Sequence, residues 1–254
     1  RKIWIILIIV FILSLIVSLS VGRYAISFAE LGSILFAKLG IKGILDAPIE
    51  NSAIVFWNVR LPRIIMAFAV GCGIAIAGVI FQALFRNPLA SPDILGVSSG
   101  SAFGAALSIV LITEMAMGIQ LSAFCFGVLA VCITFLLGTR SWDKSASVLV
   151  ISGIVVSAIF QAGLSILQYI SDPYTQLAKI MFWTMGSFQT SSWPKVEITL
   201  PIIIIGSIIL GVFSWRLNIM TQDEKEILSL GVNIKRWRLF YLGISTLIVA
   251  SAVA

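Results

Sequence analysis

The chain has 254 residues, 59% hydrophobic and 11% charged, with a formal net charge of +6, no histidine and a mean hydropathy of +1.10. A water-facing domain carries roughly 25% charged residues, so this chain has too little charge to cover a soluble surface. That argues against a nucleic-acid binder and assigns the positive balance to the loops of a membrane protein.

Seven uncharged apolar runs follow along the chain, near 3–21, 64–85, 94–113, 115–139, 145–171, 198–215 and 239–254. Crossing the hydrocarbon takes about 20 residues at about 1.5 Å each, and the first six runs meet or nearly meet that length. Charges stand at almost every edge, among them Arg63 and Arg86, Asp93 and Glu114, Lys144 and Asp172, Glu197 and Arg216. Burying a charge at mid-membrane is costly, so this bracketing predicts spans. The expected fold is all-α, a polytopic transmembrane helical bundle forming one domain over residues 1–254.

The first run is too long for a signal-peptide core and lacks an A-x-A-like site, so it reads as an uncleaved span. An external connection, 22–62, contains an amphipathic piece from Phe28 to Leu39. In FRNPLASPDILGVSSGSAFG, Pro88 ends the second span. Ser91, Pro92 and Asp93 then start the third as N-cap, first-position proline and first-turn acid. Gly96, Gly100 and Gly104 recur every four residues beyond it. Helices associate in lipid through such small faces, and Ala67, Gly71, Ala75 and Gly78 on the second span offer a matching ladder. These two spans are expected to pack backbone to backbone.

A second cytoplasmic turn, 140–144, precedes the fifth span, which is the most polar: Ser152, Gly153, Ser157, Gln161 and Gln168. The segment 172–197 is too polar to span. It suits either a helix at the headgroup level, where Phe182, Trp183 and Trp193 favour the interface, or an ordinary surface helix. Residues 216–238 are dense in charge, acids first and Gly231 late, as in a short helix with a glycine stop. Ile227, Leu228 and Leu230 inside it exceed what solubility requires and predict a docking face. The seventh run stops without a closing charge, and the first residue is not Met. The expectation is a fragment of a longer polytopic protein.

With the N-terminus inside, ten of the 17 Lys and Arg fall on cytoplasmic segments, and net charge divides +5 inside against +1 outside. The positive-inside bias favours this orientation. Cys72, Cys125 and Cys132 all lie in spans. Cys125 and Cys132 are about 10 Å apart along a helix, too far for a disulfide.

The stretch NVRLPRIIMAFAVGCGIAIAGVIFQALFRNPLASPDILGVSSGSAFG resembles the RLPR…Q…NPLAxPxxLGvssGA segment of the FecCD-type permeases, membrane subunits of ABC importers for iron-siderophore complexes, haem and cobalamin. Further on, LQYISDPYTQLAKIMFWTMGSFQTSSW and LNIMTQDEKEILSLGVNIKRWR resemble that family's later external and cytoplasmic segments in the right order. Thr221-Gln222 departs from the usual Leu-Gly before the acidic pair, and the family's later GxIxFVGLxxPHxxR segment is absent.

The resemblance implies ten spans per full subunit, about seven of them in this fragment. It implies a homodimer or paralogous heterodimer of permeases around a central pathway, two cytoplasmic ATPase subunits and an extracytoplasmic substrate-binding protein. No cofactor is expected on this chain; ATP and Mg belong to the partner ATPase. A multi-pass bacterial plasma-membrane location, with a cytoplasmic N-terminus, follows. Arg60 and Arg63 match arginines that dock the binding protein, the alternative being interfacial anchors. Asp223, Glu224, Glu226, Leu228, Leu230 and Gly231 match coupling helices that seat in the ATPase. Ser145 and Ser147 match a cytoplasmic gate. Ser152, Ser157 and Gln161 are expected to line the path, and Gly71, Ala75, Gly96, Gly100 and Gly104 to pack helices.

The competing reading is an ion-coupled secondary transporter. Such carriers commonly place ionisable groups inside spans, whereas no run here contains Asp, Glu, Lys, Arg or His. A membrane enzyme would need a nucleophile, base or metal cluster, and no candidate set is found. No G-x-x-x-x-G-K-[ST] appears that would cradle ATP.

Overall fold

The structure, a computed structural model, describes residues 2–22, 24–38, 50–88, 90–112, 115–140, 146–222 and 224–254. Among the described residues there are helices and no strand, so the expected all-α architecture holds. Among the described residues, five helices are long and apolar enough to cross a bilayer: Lys2–Ser20, Asn51–Phe85, Ala116–Gly138, Val148–Ile170 and Trp193–Val212. The chain divides into two compact units, residues 1–68 with 188–198, and residues 69–187 with 199–254.

In the first unit, α1 (Lys2–Ser20) buries none of its residues, as suits a helix apolar all round and solvated by lipid. Its packing includes the Phe11 ring, 5.3 Å from that of Phe68. The next helix, α2 (Phe28–Lys38), starts from a capping box. The Ser27 backbone N–H donates to Glu30 Oε2 at 2.8 Å, and the Glu30 N–H donates back to Ser27 Oγ at 3.3 Å. The Ser27 N–H foremost, and then the Ser27 hydroxyl, which donates to Glu30 Oε2 at 3.0 Å, hold the Glu30 carboxyl below its usual range. Leu31 and Ile34 on α2 bury with Ile26 and Phe56 in a small core.

Helix α3 (Glu50–Val55) runs through a π turn, Phe56–Arg60, into α4 (Leu61–Phe85). The Leu61 N–H bonds Phe56 O, five residues back. Trp57 O would come next in that register, but it faces Pro62, which has no N–H. The Trp193 indole supplies the bond instead, at 3.0 Å.

In the second unit, α4 ends at a turn in which Arg86 takes φ +49°, uncommon for a non-glycine residue. The segment after it is broken into three pieces: a 3-10 turn (Pro92–Leu95), then α5 (Val97–Leu107), then a π turn (Ser108–Ile112). Ser91 and Pro92 do start the first piece, though no Ser91 side-chain cap forms. Gly96, at φ +82°, joins it to α5, a left-handed conformation that side chains resist.

The glycines of α5 do pack backbone to backbone, but against α6 (Ala116–Arg140). A Cβ on Gly100 would stand 2.5 Å from Phe126 O, and one on Gly104 2.6 Å from Ser122 O. The expected partner ladder on α4 is not used: a Cβ on Gly71 or Gly78 meets nothing within 4 Å, and Ala75 is exposed. Gly73, about 200° round the helix from Gly71 and so on the opposite face, packs on Ile203 and Ile248 instead. The physical reason is a rival stripe on α6, where Ala123, Gly127, Ala130, Thr134 and Gly138 are all buried. Thr134 Oγ1 also donates to Leu95 O at 3.1 Å, tying α6 to the broken segment.

The remaining elements are α7 (Ala146–Ile170), α8 (Gln176–Met185), α9 (Trp193–Val212), α10 (Ser214–Met220), α11 (Glu224–Ser229) and α12 (Ile234–Val253). A core of Phe81, Leu95, Val97, Leu210, Tyr241, Leu242 and Ile248 holds this unit together. Before α8, Asp172 Oδ1 accepts from the N–H groups of Tyr174 and Thr175 and from the Thr175 hydroxyl, at 2.8–3.0 Å. Chiefly the Thr175 hydroxyl and N–H hold its carboxyl below the usual range.

Candidate functional site

A conduit needs a polar surface that does not grip its cargo, and α7 carries the residues for one. At 3.6 residues per turn, Ser157, Gln161, Ser165 and Gln168 fall within about 80° of arc. Gln161 and Ser165 are exposed, and Ser157 and Gln168 half-buried. Ser152 stands about 180° from Gln161, so it does not share their face. Ser157 is also the neighbour of Gly96: a Cβ there would stand 3.0 Å from Ser157 Oγ. Just below, Gly153 approaches the 3-10 turn so closely that a Cβ would stand 2.0 Å from Ile94 O. The Ser157 end of this face, with Gly153, is therefore seated against the break in the preceding segment.

The two arginines separate in role. Arg60 ends the π turn and is 7% exposed; its guanidinium donates to the carbonyls of Leu19 and Tyr24. Gly22 makes room for it, since a Cβ there would stand 2.9 Å from Arg60 Nη2. A side chain so enclosed clamps the end of α1 and is not offered to a partner. Arg63, half-buried, donates through Nε to Phe188 O at 3.1 Å and through Nη2 to Gln189 O at 3.3 Å. Both arginines and Tyr24 border a cavity of about 350 Å³.

The charged segment folds as a helix with a glycine stop. Gly231 takes φ +70°, and Val232 N–H bonds Ile227 O at 3.3 Å. That is the six-to-one bond of a Schellman motif, and Val232 packs against the core to which Ile227 belongs. Ile227 is 1% exposed and belongs to the core of its own unit, so it is not part of a docking face, whereas Leu230 is 63% exposed. Glu226 is exposed. Asp223 and the side chains of Glu224 and Leu228 lie outside the described residues, as do Ser145 and the side chain of Ser147.

Sequence reasoning missed Arg60's clamp and the polar residue Ser165. The four-residue step from Gln161 was the available signal for Ser165; nothing in the sequence marks the π turn that swings Arg60 inward. Among the described residues no group of three or more His, Cys, Asp or Glu is placed to hold a metal ion. Cys125 and Cys132 are exposed and free, and Cys72 is free and half-buried.

Comparison with known proteins agrees over almost the whole chain. The FecCD transport family model matches residues 7–254. The molybdate import system permease protein of Haemophilus influenzae is 40% identical, covering 96% of this chain and 71% of its own length. The hemin transport system permease protein of Yersinia pestis is 32% identical, covering 96% and 72%. For the cobalamin import system permease protein of Halobacterium salinarum the figures are 32%, 81% and 55%. A solved structure described as an inward-facing conformation of a metal-chelate type ABC transporter superimposes with a TM-score of 0.84 at 37% identity, covering 99% of this chain and 75% of the other. The chain therefore belongs to the FecCD transport family, a multi-pass membrane permease of ABC transporters and a transport component rather than an enzyme.

Proposed function

We propose that this permease forms half of the pathway of an ATP-driven importer in a bacterial plasma membrane, its N-terminus cytoplasmic, and that its cargo is an iron chelate, haem or cobalamin. The observation that carries this is the face of α7 bearing Ser157, Gln161, Ser165 and Gln168, polar and without charge. Uncharged groups let a large hydrophilic chelate slide; a charged pocket would hold it and slow release. The names of the haemin and cobalamin relatives support the cargo class. A second reading, a metal oxyanion, is favoured by the 40% identity to the molybdate permease. An uncharged path suits both, which leaves selection to an extracytoplasmic binding protein.

The work comes from outside the chain. Two ATPase subunits, with ATP and Mg, would push on α11 and Leu230, while Arg63 would meet the extracytoplasmic binding protein. The test uses the full-length permease with its ATPase and binding protein in proteoliposomes, offered a ferric siderophore, haem, cobalamin and molybdate. Uptake of one cargo is expected only with ATP inside. Uptake driven by a proton or sodium gradient without the ATPase would overturn the proposal.

A further inference from the structure

The backbone breaks between α9 and α10 at Phe213, whose φ of −93° and ψ of 9° lie in the bridge region between helix and strand. The Phe213 N–H still bonds Ile209 O at 3.2 Å, and its carbonyl accepts from the Arg216 N–H at 2.9 Å. The same carbonyl accepts a second bond, at 2.6 Å, from the hydroxyl of Tyr241 on α12, 28 residues along the chain. Tyr241 is fully buried, and a buried hydroxyl is costly unless it is hydrogen-bonded. A phenylalanine would fill nearly the same space without that cost, so packing alone does not account for the oxygen.

Around this bond Phe213, Trp237, Phe240 and Tyr241 pack ring against ring at 5.3–5.8 Å, a spacing at which tilted and edge-to-face pairs attract. The Arg216 guanidinium of α10 lies over the Trp237 ring, 4.6 Å from its centroid. Leu217 and Met220 of α10, Ile227 of α11 and Leu242 of α12 are buried in the same core. That core therefore joins α10, α11 and α12 beside the end of α9. Rings slide over one another at little cost, whereas a short, directional hydrogen bond fixes a register. We infer that Tyr241 is a positioning residue for coupling: its hydroxyl locks the α9–α10 break to α12, so that a push on α11 moves α9 and α12 together. The inference rests on the coupling role proposed above for α11 and Leu230. Tyr241 itself meets neither ATP nor cargo. Without its hydroxyl the rings still pack, but the break bends at Phe213 and the motion dissipates there.

The test reconstitutes the full-length permease with its ATPase and binding protein in proteoliposomes. It measures ATP hydrolysed per cargo taken up, with whichever of ferric siderophore, haem, cobalamin and molybdate the wild type transports. Tyr241→Phe keeps the rings and leaves Phe213 O its bond from Arg216. The variant should assemble as wild type while ATP per cargo rises about 5-fold, the weight of one neutral hydrogen bond. Arg216→Lys keeps the charge and loses the planar stacking on Trp237. It should move the ratio the same way by less, and it serves, with an unchanged ratio as the refuting result, if Tyr241→Phe does not assemble. Ser245→Ala, one turn further along α12, removes a buried hydroxyl with no partner among the described residues and should leave the ratio unchanged. Were Tyr241 structural only, hydrolysis and uptake would fall together at a constant ratio; that result overturns the inference, as does wild-type coupling in Tyr241→Phe. Leu230→Asp separates the two claims: if it uncouples and Tyr241→Phe does not, the coupling segment stands and Tyr241 has no part in it. Wild-type uptake without ATP would overturn both.

Discussion

Replacing Gly153 by alanine tests the seat of the polar face directly. The added Cβ would stand 2.0 Å from Ile94 O, 3.0 Å from Ile94 C and 3.1 Å from Leu95 Cα, all backbone atoms. Reaching even the tight limit of 3.0 Å requires a shift of about 1 Å, and no side chain can rotate away to supply it. The 3-10 turn cannot easily slide, because Thr134 Oγ1 holds Leu95 O and the Gly96 N–H holds Asp93 O at 2.9 Å. Overpacking costs typically about 1–3 kcal/mol, and a rigid backbone clash belongs at the top of that range. The internal control is Gly71→Ala, where nothing lies within 4 Å and helix propensity alone adds up to about 1 kcal/mol of stability. The two substitutions are chemically identical and should move stability in opposite directions. Fluorescence-detected size exclusion of the full-length protein after heating reads both. If Gly153→Ala melts with wild type, the close approach of α7 to the 3-10 turn is wrong, and with it the placement of Ser157.

Arg60→Met removes charge-assisted hydrogen bonds worth about 1.5–3 kcal/mol each; amide exchange over residues 20–26 should rise, and an unchanged profile would refute the clamp. Asp172 has its carboxyl held low, so its contribution to the start of α8 is fully present above the ordinary aspartate value of about 3.9 and is lost as pH falls through the lower folded value. Exchange at Tyr174 and Thr175, corrected for intrinsic rate, should stay flat from neutral pH down to about 4 and rise only below; loss of protection nearer neutrality would refute it. Leu230→Asp should leave the ATPase running without uptake, and normal coupled transport would discard Leu230 as a contact. Arg63→Glu should slow association with the binding protein in a salt-sensitive way, and unchanged association would leave Arg63 a structural tie to the 188–189 carbonyls.

The all-α, polytopic architecture was legible because runs of uncharged residues bounded by charge leave few alternatives in lipid. What was not legible was which small faces meet. Gly71, Ala75 and Gly78 on α4 have the same spacing as the stripe on α6, and only three-dimensional fit selects the latter for Gly100 and Gly104. The five-member ladder from Ala123 to Gly138 was in view and is longer, which would have been the better guide. Arg60 looked like a surface cation because apolar composition places arginines at span edges. One extra residue in the turn re-aims the side chain by about 100°, and no residue pattern announces that. Ile227 and Leu230 read as one apolar set, but Gly231 stops the helix at Ser229, so Leu230 leaves the face that buries Ile227.

Because α1 buries nothing, its side chains are scarcely specified by their neighbours. Almost any oily residue would serve at most of its positions, so substitutions should accumulate there with little penalty. The discriminating demands sit just past its end, where Gly22 leaves room for the Arg60 guanidinium and the backbone of Leu19 and Tyr24 meets it. A saturation library over residues 2–24 should show a flat, permissive plateau dropping sharply at Gly22.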